Sequence, residues 1–203
     1  MKIRLFADFG EAEHAWKTFQ NDAYYHSFQQ YEWQYNWYHE FGQALKIDPY
    51  ILLVEDEVQG FVLLLPLGIQ RKRGLHILTW LGGRVTDYHA PLVQKGFAEN
   101  ATPVAFYLIW KQVLQMLPPF DAIHFKKQPG KIGDQANPFL ELNVQKYAVC
   151  YSTELTSNWN EFYQYQVKGK IRADSRRQKK RLGEFGKLQF LIAKSPEEIK
   201  LLT

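Results

Sequence analysis

The sequence predicts an α+β protein built on one mostly antiparallel sheet with helices packed against it. Three observations point there. Strand-like and helix-like patterns succeed one another as strand, helix, helix, three strands, helix, strand, loop, strand, which is not the strict alternation of a parallel α/β fold. Apolar residues make up 46% of the chain and charged ones 23%, a globular composition that excludes general disorder. Two long apolar runs, Tyr50 to Val54 and Val58 to Leu67, are separated only by Glu55-Asp56-Glu57 and read as a hairpin around a charged turn.

The remaining elements follow in order. Lys2 to Phe6 alternates polar and apolar residues as a short strand does, and Glu11 to Gln20 then places Ala12, Ala15, Trp16 and Phe19 on one helical face. Ser27 to Phe41 is a second, very aromatic helix with Tyr31, Trp33, Trp37, Tyr38 and Phe41 at helical spacings and Gly42 as its stop. After the hairpin, Gln70 to Gly74 turns the chain into a third strand, Leu75 to Leu81, which Gly82-Gly83 ends. A helix from about Thr102 to Leu117 closes at Pro118-Pro119, and strands are expected at Asp121 to Lys126 and Lys146 to Leu155. From Asn158 a helical pattern runs to Gly183–Gly186.

Composition also limits what the chain can be. One cysteine excludes an intramolecular disulfide framework or a cysteine-based zinc cluster, and His14, His26, His39, His76 and His124 show no metal-ligand spacing, so no metal is expected. No apolar run approaches the roughly 18 residues of a membrane span, and the acidic residues near the start do not fit a signal peptide. A cytoplasmic protein is the expectation. The net charge of +4 is unevenly spread: between Lys168 and Lys187, nine Lys or Arg face two carboxylates, a local +7 that leaves −3 for everything else.

Two stretches carry candidate chemistry. In LTWLGGRVTDYHAPLV, Asp87 and His89 could pair as a carboxylate-tuned general base with Tyr88 as a hydroxyl partner. The same residues could equally form a turn in which Asp87 caps backbone N–H groups and Tyr88 packs. In KGKIRADSRRQKKRLGEFGK, Arg172, Arg176, Lys179 and Lys180 recur at helical spacing, opposite Ile171, Ser175, Gln178, Leu182 and Phe185. That helix can be a solvated linker, a docking surface for an anionic substrate or cofactor phosphate, or a contact for nucleic acid or an anionic membrane surface. Arg71-Lys72-Arg73-Gly74-Leu75-His76 comes nearest to a pyrophosphate-cradling loop, but His76 stands where Gly or Ala is needed and a strand follows, so CoA is not expected to bind there.

After Gly186 the chain appends KLQFLIAKSPEEIKLL, a short strand and a Ser195-capped helix with Pro196 and acidic residues in its first turn. Lys187, Leu188, Phe190 and Ala193 echo Lys2, Ile3, Leu5 and Ala7. Two readings stand: a plain C-terminal tail, or the start of a second copy of the domain, cut at Thr203.

Three segments taken in order resemble one family. SFQQYEWQYNWYHEFG resembles the F-Q-x-x-x-W-x-x-x-W-x-x-x-F-G helix of bacterial GNAT-superfamily acetyltransferases of cellulose biosynthesis, relatives of the Fem-type aminoacyltransferases. Leu81, Gly82, Asp87 and Tyr88 are similar to that family's L-G-x-x-x-x-D-Y loop, and Arg172, Asp174, Arg176, Arg177, Arg181, Leu182 and Gly186 to its basic helix. The resemblance implies a tandem of GNAT-like units: residues 1–157 as the first, 158–186 as a basic helical connector and 187–203 as the start of the second. It implies transfer of an acetyl or other acyl group from acyl-CoA to an amine or hydroxyl of a cell-envelope or polysaccharide precursor. Asp87, Tyr88 and His89 are then the candidate catalytic residues. Gln29, Trp33, Trp37, Trp80 and Arg84 are the candidate substrate-binding residues, and Arg172, Arg176, Arg177, Lys179, Lys180 and Arg181 the candidate anion- or cofactor-binding residues. The alternative is a non-catalytic module whose basic helix binds nucleic acid or another polyanion, although no base-reading element is evident and nucleic acid is not the expected partner.

Overall fold

The computed structural model describes residues 1–97, 102–142 and 153–202, in two compact units divided between Ala148 and Val149. The first unit is a mixed, mostly antiparallel sheet with helices on both faces. Its strands are β1 (Lys2–Phe6), β2 (Ala23–Tyr24), β3 (Ile47–Asp56), β4 (Gly60–Lys72), β5 (Leu75–Trp80), β6 (Leu92–Gln94) and β7 (Ala122–Ile123), and a separate ribbon joins β8 (Lys131–Ile132) to β9 (Gln135–Ala136). The order is β1-β3-β4-β5-β7, antiparallel except for the last pair.

The long hairpin is the centre of the sheet. Successive residues of β3 face opposite sides, so Leu52 and Val54 enter one core cluster while Ile51 and Leu53 enter the other. Both sides being covered explains why the sequence there is apolar without alternation. The edge of β4 away from β3 changes partner along its length: Leu63 and Leu64 pair with β6, and Leu67 to Lys72 with β5. Pro66, which has no N–H to give to a ladder, sits at the change, and its carbonyl accepts from Leu81 N–H at 2.9 Å.

Helix α1 (Phe9–Gln20) starts because Asp8 Oδ1 accepts from the backbone N–H groups of Gly10 and Glu11, at 2.7 and 3.3 Å, and it buries Phe9, Ala12, Ala15, Trp16 and Phe19. The aromatic segment differs from the single helix expected over 27–41. It is a 3₁₀ turn (Ser27–Gln29), α2 (Tyr31–Trp37) and a π-helical turn (Tyr38–Gly42). Gln30 is extended at ψ 144°, and Gln29 turns back to accept from His26 N–H at 3.1 Å, which closes the turn before α2 begins.

Helix α3 (Pro103–Met116) is capped by Thr102, and it lays Phe106, Ile109, Trp110 and Val113 on the sheet face opposite α1 and α2. It leads into β7, the parallel neighbour of β5, which is shorter than the 121–126 strand expected. Asp121 N–H to His76 O and His124 N–H to Leu78 O, both 2.8 Å, hold that edge. This pairing brings 124–131 to the end of β5, beside the loop that follows it.

In the second unit, α4 (Trp159–Tyr165), capped by Asn158, is followed by α5 (Gly169–Phe185) and α6 (Pro196–Leu202). The helical pattern breaks at 166–168, where Arg172 Nη1 donates to the carbonyls of Tyr163, Gln164 and Val167 and fixes the corner. Residues 187–194 form no strand, contrary to expectation, because a strand is held by its ladder and none pairs with it among the described residues. Ser195 does cap α6, through Glu198 N–H at 3.2 Å. Most of the 146–155 strand expected lies outside the described residues, and 153–155 are not in a strand.

Candidate functional site

The loop from Gly82 to Pro91 is pinned from two sides. On one side stands the aromatic segment. Gln29 Nε2 donates to Tyr88 O at 2.6 Å, Trp33 Nε1 donates to Thr86 Oγ1 at 3.2 Å, and Thr86 Oγ1 donates to Gly82 O at 2.8 Å. On the other side stands the segment after β7. Lys127 Nζ donates to the carbonyls of Arg84 and Thr86, at 2.9 and 2.8 Å, and His89 N–H donates to Lys127 O at 3.0 Å. Gly83 holds a left-handed φ of +57°, and a Cβ there would lie 2.7 Å from the Trp37 ring. Backbone conformation and the tryptophan wall both require glycine.

The expected Asp87–His89 pair does not form. The chain bends at Asp87, whose side chain is 76% exposed and 4.0 Å from Lys127 Nζ, whereas His89 turns inward and is 6% exposed. His89 Nδ1 lies 3.1 Å from Lys126 O, so in the neutral ring it carries the proton and donates. Nε2 is buried without a hydrogen bond of good geometry. Burial, above all, lowers the imidazole pKa to about 4; the Lys126 carbonyl opposes that shift, the Lys127 charge adds to it, and the Gly83 backbone lies near enough to favour the cation slightly. His89 is therefore a buried, neutral imidazole tied to the 126–127 segment by its ring and its backbone, and it presents no base to solvent. Tyr88 packs its ring on His26, with centroids 4.9 Å apart.

The substrate-binding candidates separate in the same way. Trp80 is in the core between Phe125 and Phe139, and Trp37 is buried against Gly83, so neither offers a surface to a ligand. Gln29 is buried, and its amide is committed at both ends to His26 N–H and Tyr88 O. Trp33 remains 39% exposed, with its ring edge-on to Phe28 at 5.2 Å. Arg84 is exposed, and its contribution inside the fold is its carbonyl. Trp33, Phe28, Tyr88 and His26 thus form a half-exposed aromatic shelf, with Phe28 6.2 Å from Tyr88, and Arg84 and Asp87 stand on the loop it supports. Such a shelf can stack on a planar group or the apolar face of a ring, and the carboxylate can hold or deprotonate an amine.

Sequence reasoning missed Lys127, Thr86 and His26. Lys127 reaches Thr86 across 41 residues, and no local pattern marks that distance. Among the described residues no group of three or more His, Cys, Asp or Glu is placed to hold a metal ion. The Arg71–His76 stretch lies across the β4–β5 hairpin turn, with Arg73 and Gly74 at positive φ, rather than at a helix N-terminus. Of the six cations expected to bind anions, Arg172 is committed to the carbonyls of Tyr163, Gln164 and Val167 and Arg177 pairs with Asp174 at 2.9 Å, while Arg176, Lys179, Lys180 and Arg181 are exposed.

Two expected results follow from the pinning. Lys127→Met should cost about 1–2 kcal/mol, with exchange of the 84–88 amides rising more than that of β3 and β4, because two carbonyls lose an ammonium donor. His89 has a folded pKa below that of the unfolded chain, so the unfolded state binds more protons between about 4 and 6.5 and stability rises with pH there. The contribution, about 3 kcal/mol, is complete above pH 6.5 and is lost as pH falls toward 4. His89→Asn keeps a donor for the Lys126 carbonyl, and denaturant unfolding from pH 7 to 4 should show a shallower decline than the parent protein.

Comparison of the chain with protein-family models, with curated proteins and with solved structures finds no match in any of the three.

Proposed function

We propose that the protein takes part in acyl transfer from acyl-CoA to an amine, or to a hydroxyl, of a cell-envelope or polysaccharide precursor in the cytoplasm, and that the pinned 82–91 loop of the first unit receives the acceptor. The observation that carries this reading is the pairing of an exposed carboxylate, Asp87, with the aromatic shelf of Trp33, Phe28 and Tyr88 on one rigid support. The mixed, mostly antiparallel sheet with flanking helices supports it too, being the architecture that the acyltransferase resemblance implies.

In this scheme the acceptor ring rests on the shelf and its amine approaches Asp87. The nitrogen attacks the thioester carbonyl, a C–N bond forms, the C–S bond breaks and CoA leaves as the thiolate. The proton released by the nitrogen passes to the Asp87 carboxylate and from there to the thiolate or to water, so charge and protons balance. His89, Lys127 and Gln29 touch no substrate; they hold the loop.

The test separates acceptor binding from chemistry. With an amino-sugar acceptor, Trp33→Ala should raise the acceptor KM about tenfold and leave the acyl-CoA KM and kcat near those of the parent. An unchanged acceptor KM would remove the shelf from the site.

A further inference from the structure

Helix α5 presents two chemically different surfaces, both exposed. At 3.6 residues per turn, Ile171, Ser175, Gln178, Leu182 and Phe185 fall on one stripe. Asp174, which pairs with Arg177, lies with Arg181 and Lys170 along one side of that stripe, Lys179 and Arg172 lie along the other, and Arg176 and Lys180 are behind it. No residue of α5 is buried, and the Phe185 side chain is 91% exposed. With Arg172 and Arg177 committed elsewhere, Lys170, Arg176, Lys179, Lys180 and Arg181 have no ion pair among the described residues. At 17 residues and with this charge, the helix is too short and too polar to cross a bilayer.

We propose that α5 is a membrane-docking helix that lies flat on a bilayer surface rich in anionic lipid. Ile171, Leu182 and Phe185 enter the boundary between headgroups and acyl chains, the bordering Lys170, Lys179 and Arg181 meet lipid phosphates, and Arg176 and Lys180 on the far face add longer-range attraction to the anionic surface. Charge complementarity selects the anionic lipid: the 168–187 segment carries nine cations against two carboxylates. Duplex DNA would satisfy the cations but leave the apolar stripe in water, and the cationic face carries no aromatic rings for stacking on single strands. The exposed Phe190, Leu191 and Ile192 that follow extend the apolar surface in sequence. The inference does not depend on the acyl-transfer reading.

The experiment uses the 203-residue chain and vesicles of phosphatidylcholine alone or with about one third phosphatidylglycerol, at about 0.1 M salt. Cosedimentation should show at least tenfold stronger partitioning onto the anionic vesicles. Replacing Lys179, Lys180 and Arg181 by Gln should weaken it about a hundredfold, at roughly fivefold per charge. Leu182→Ser with Phe185→Ser should weaken vesicle binding at least tenfold and leave any duplex DNA binding unchanged. Circular dichroism checks that each variant stays folded, and Phe185→Trp gives an independent reading, since its emission should shift to the blue on anionic vesicles. Equal partitioning onto both vesicles, no partitioning, an unshifted Phe185→Trp emission, or full vesicle binding by the double serine variant would each overturn the proposal.

Discussion

Trp80→Ala should remove about 3–5 kcal/mol from the stability of the first unit, the largest loss expected of any single change to a residue near the loop. The indole is buried at the end of β5, 4.8 Å from Phe125 and 4.9 Å from Phe139. Phe139 in turn packs on Phe106 and Trp110 of α3, both at 5.1 Å. The cavity would therefore open where β5, α3 and the segment after β7 meet. Lys126 and Lys127 directly follow Phe125, so the damage should reach the 82–91 loop as faster amide exchange at 84–88. Trp80→Phe is the informative companion. It keeps most of the ring volume and deletes an indole N–H that is buried without a partner, so it should cost less than half as much. Urea unfolding of both variants, with Trp33→Ala within about 1 kcal/mol of the parent, would distinguish a core tryptophan from a surface one.

Asp87→Asn should lower kcat/KM for acyl transfer at least a hundredfold, the scale on which a positioned proton acceptor contributes. Stability should scarcely change. The carboxylate is mostly in solvent, and its contact with Lys127, at 4.0 Å, is an exposed ion pair worth under about 1 kcal/mol. His89→Asn should show the reverse profile: rate altered modestly, stability between pH 4 and 6.5 altered clearly. If the two variants exchanged profiles, His89 would be the proton acceptor after all, and the buried orientation of its ring would not be the working one.

What the sequence could reveal depended on whether a signal was local. The β3–β4 hairpin, the buried face of α1 and the extent of α3 are legible because pattern and stop lie within one element, whereas the Asp8 cap, which starts α1 two residues before Glu11, is not read from the sequence. The aromatic segment misled because its spacing fits one helix, while the break at Gln30 comes from Gln29 folding back on His26. The two-residue spacing of Asp87 and His89 leaves both a carboxylate–imidazole pair and a simple turn open, and the loop's shape is decided by Gln29, 59 residues from Tyr88, and by Lys127. Trp80 and Trp37 are candidate ligand contacts from the sequence but core residues in the fold, because aromatic content cannot say which rings the core consumes. The short strand expected after Gly186 does not form for a similar reason, since a strand pattern does not supply its partner.

The most direct measurement is acceptor-dependent release of free thiol from acetyl-CoA by the protein, followed with a panel of amines and amino sugars and with the Asp87→Asn variant alongside. The account predicts thiol release that requires an acceptor, yields the acylated acceptor in equal amount and falls at least a hundredfold in the variant. Absence of acceptor-dependent release across the panel, or equal rates for the parent and Asp87→Asn, would contradict it.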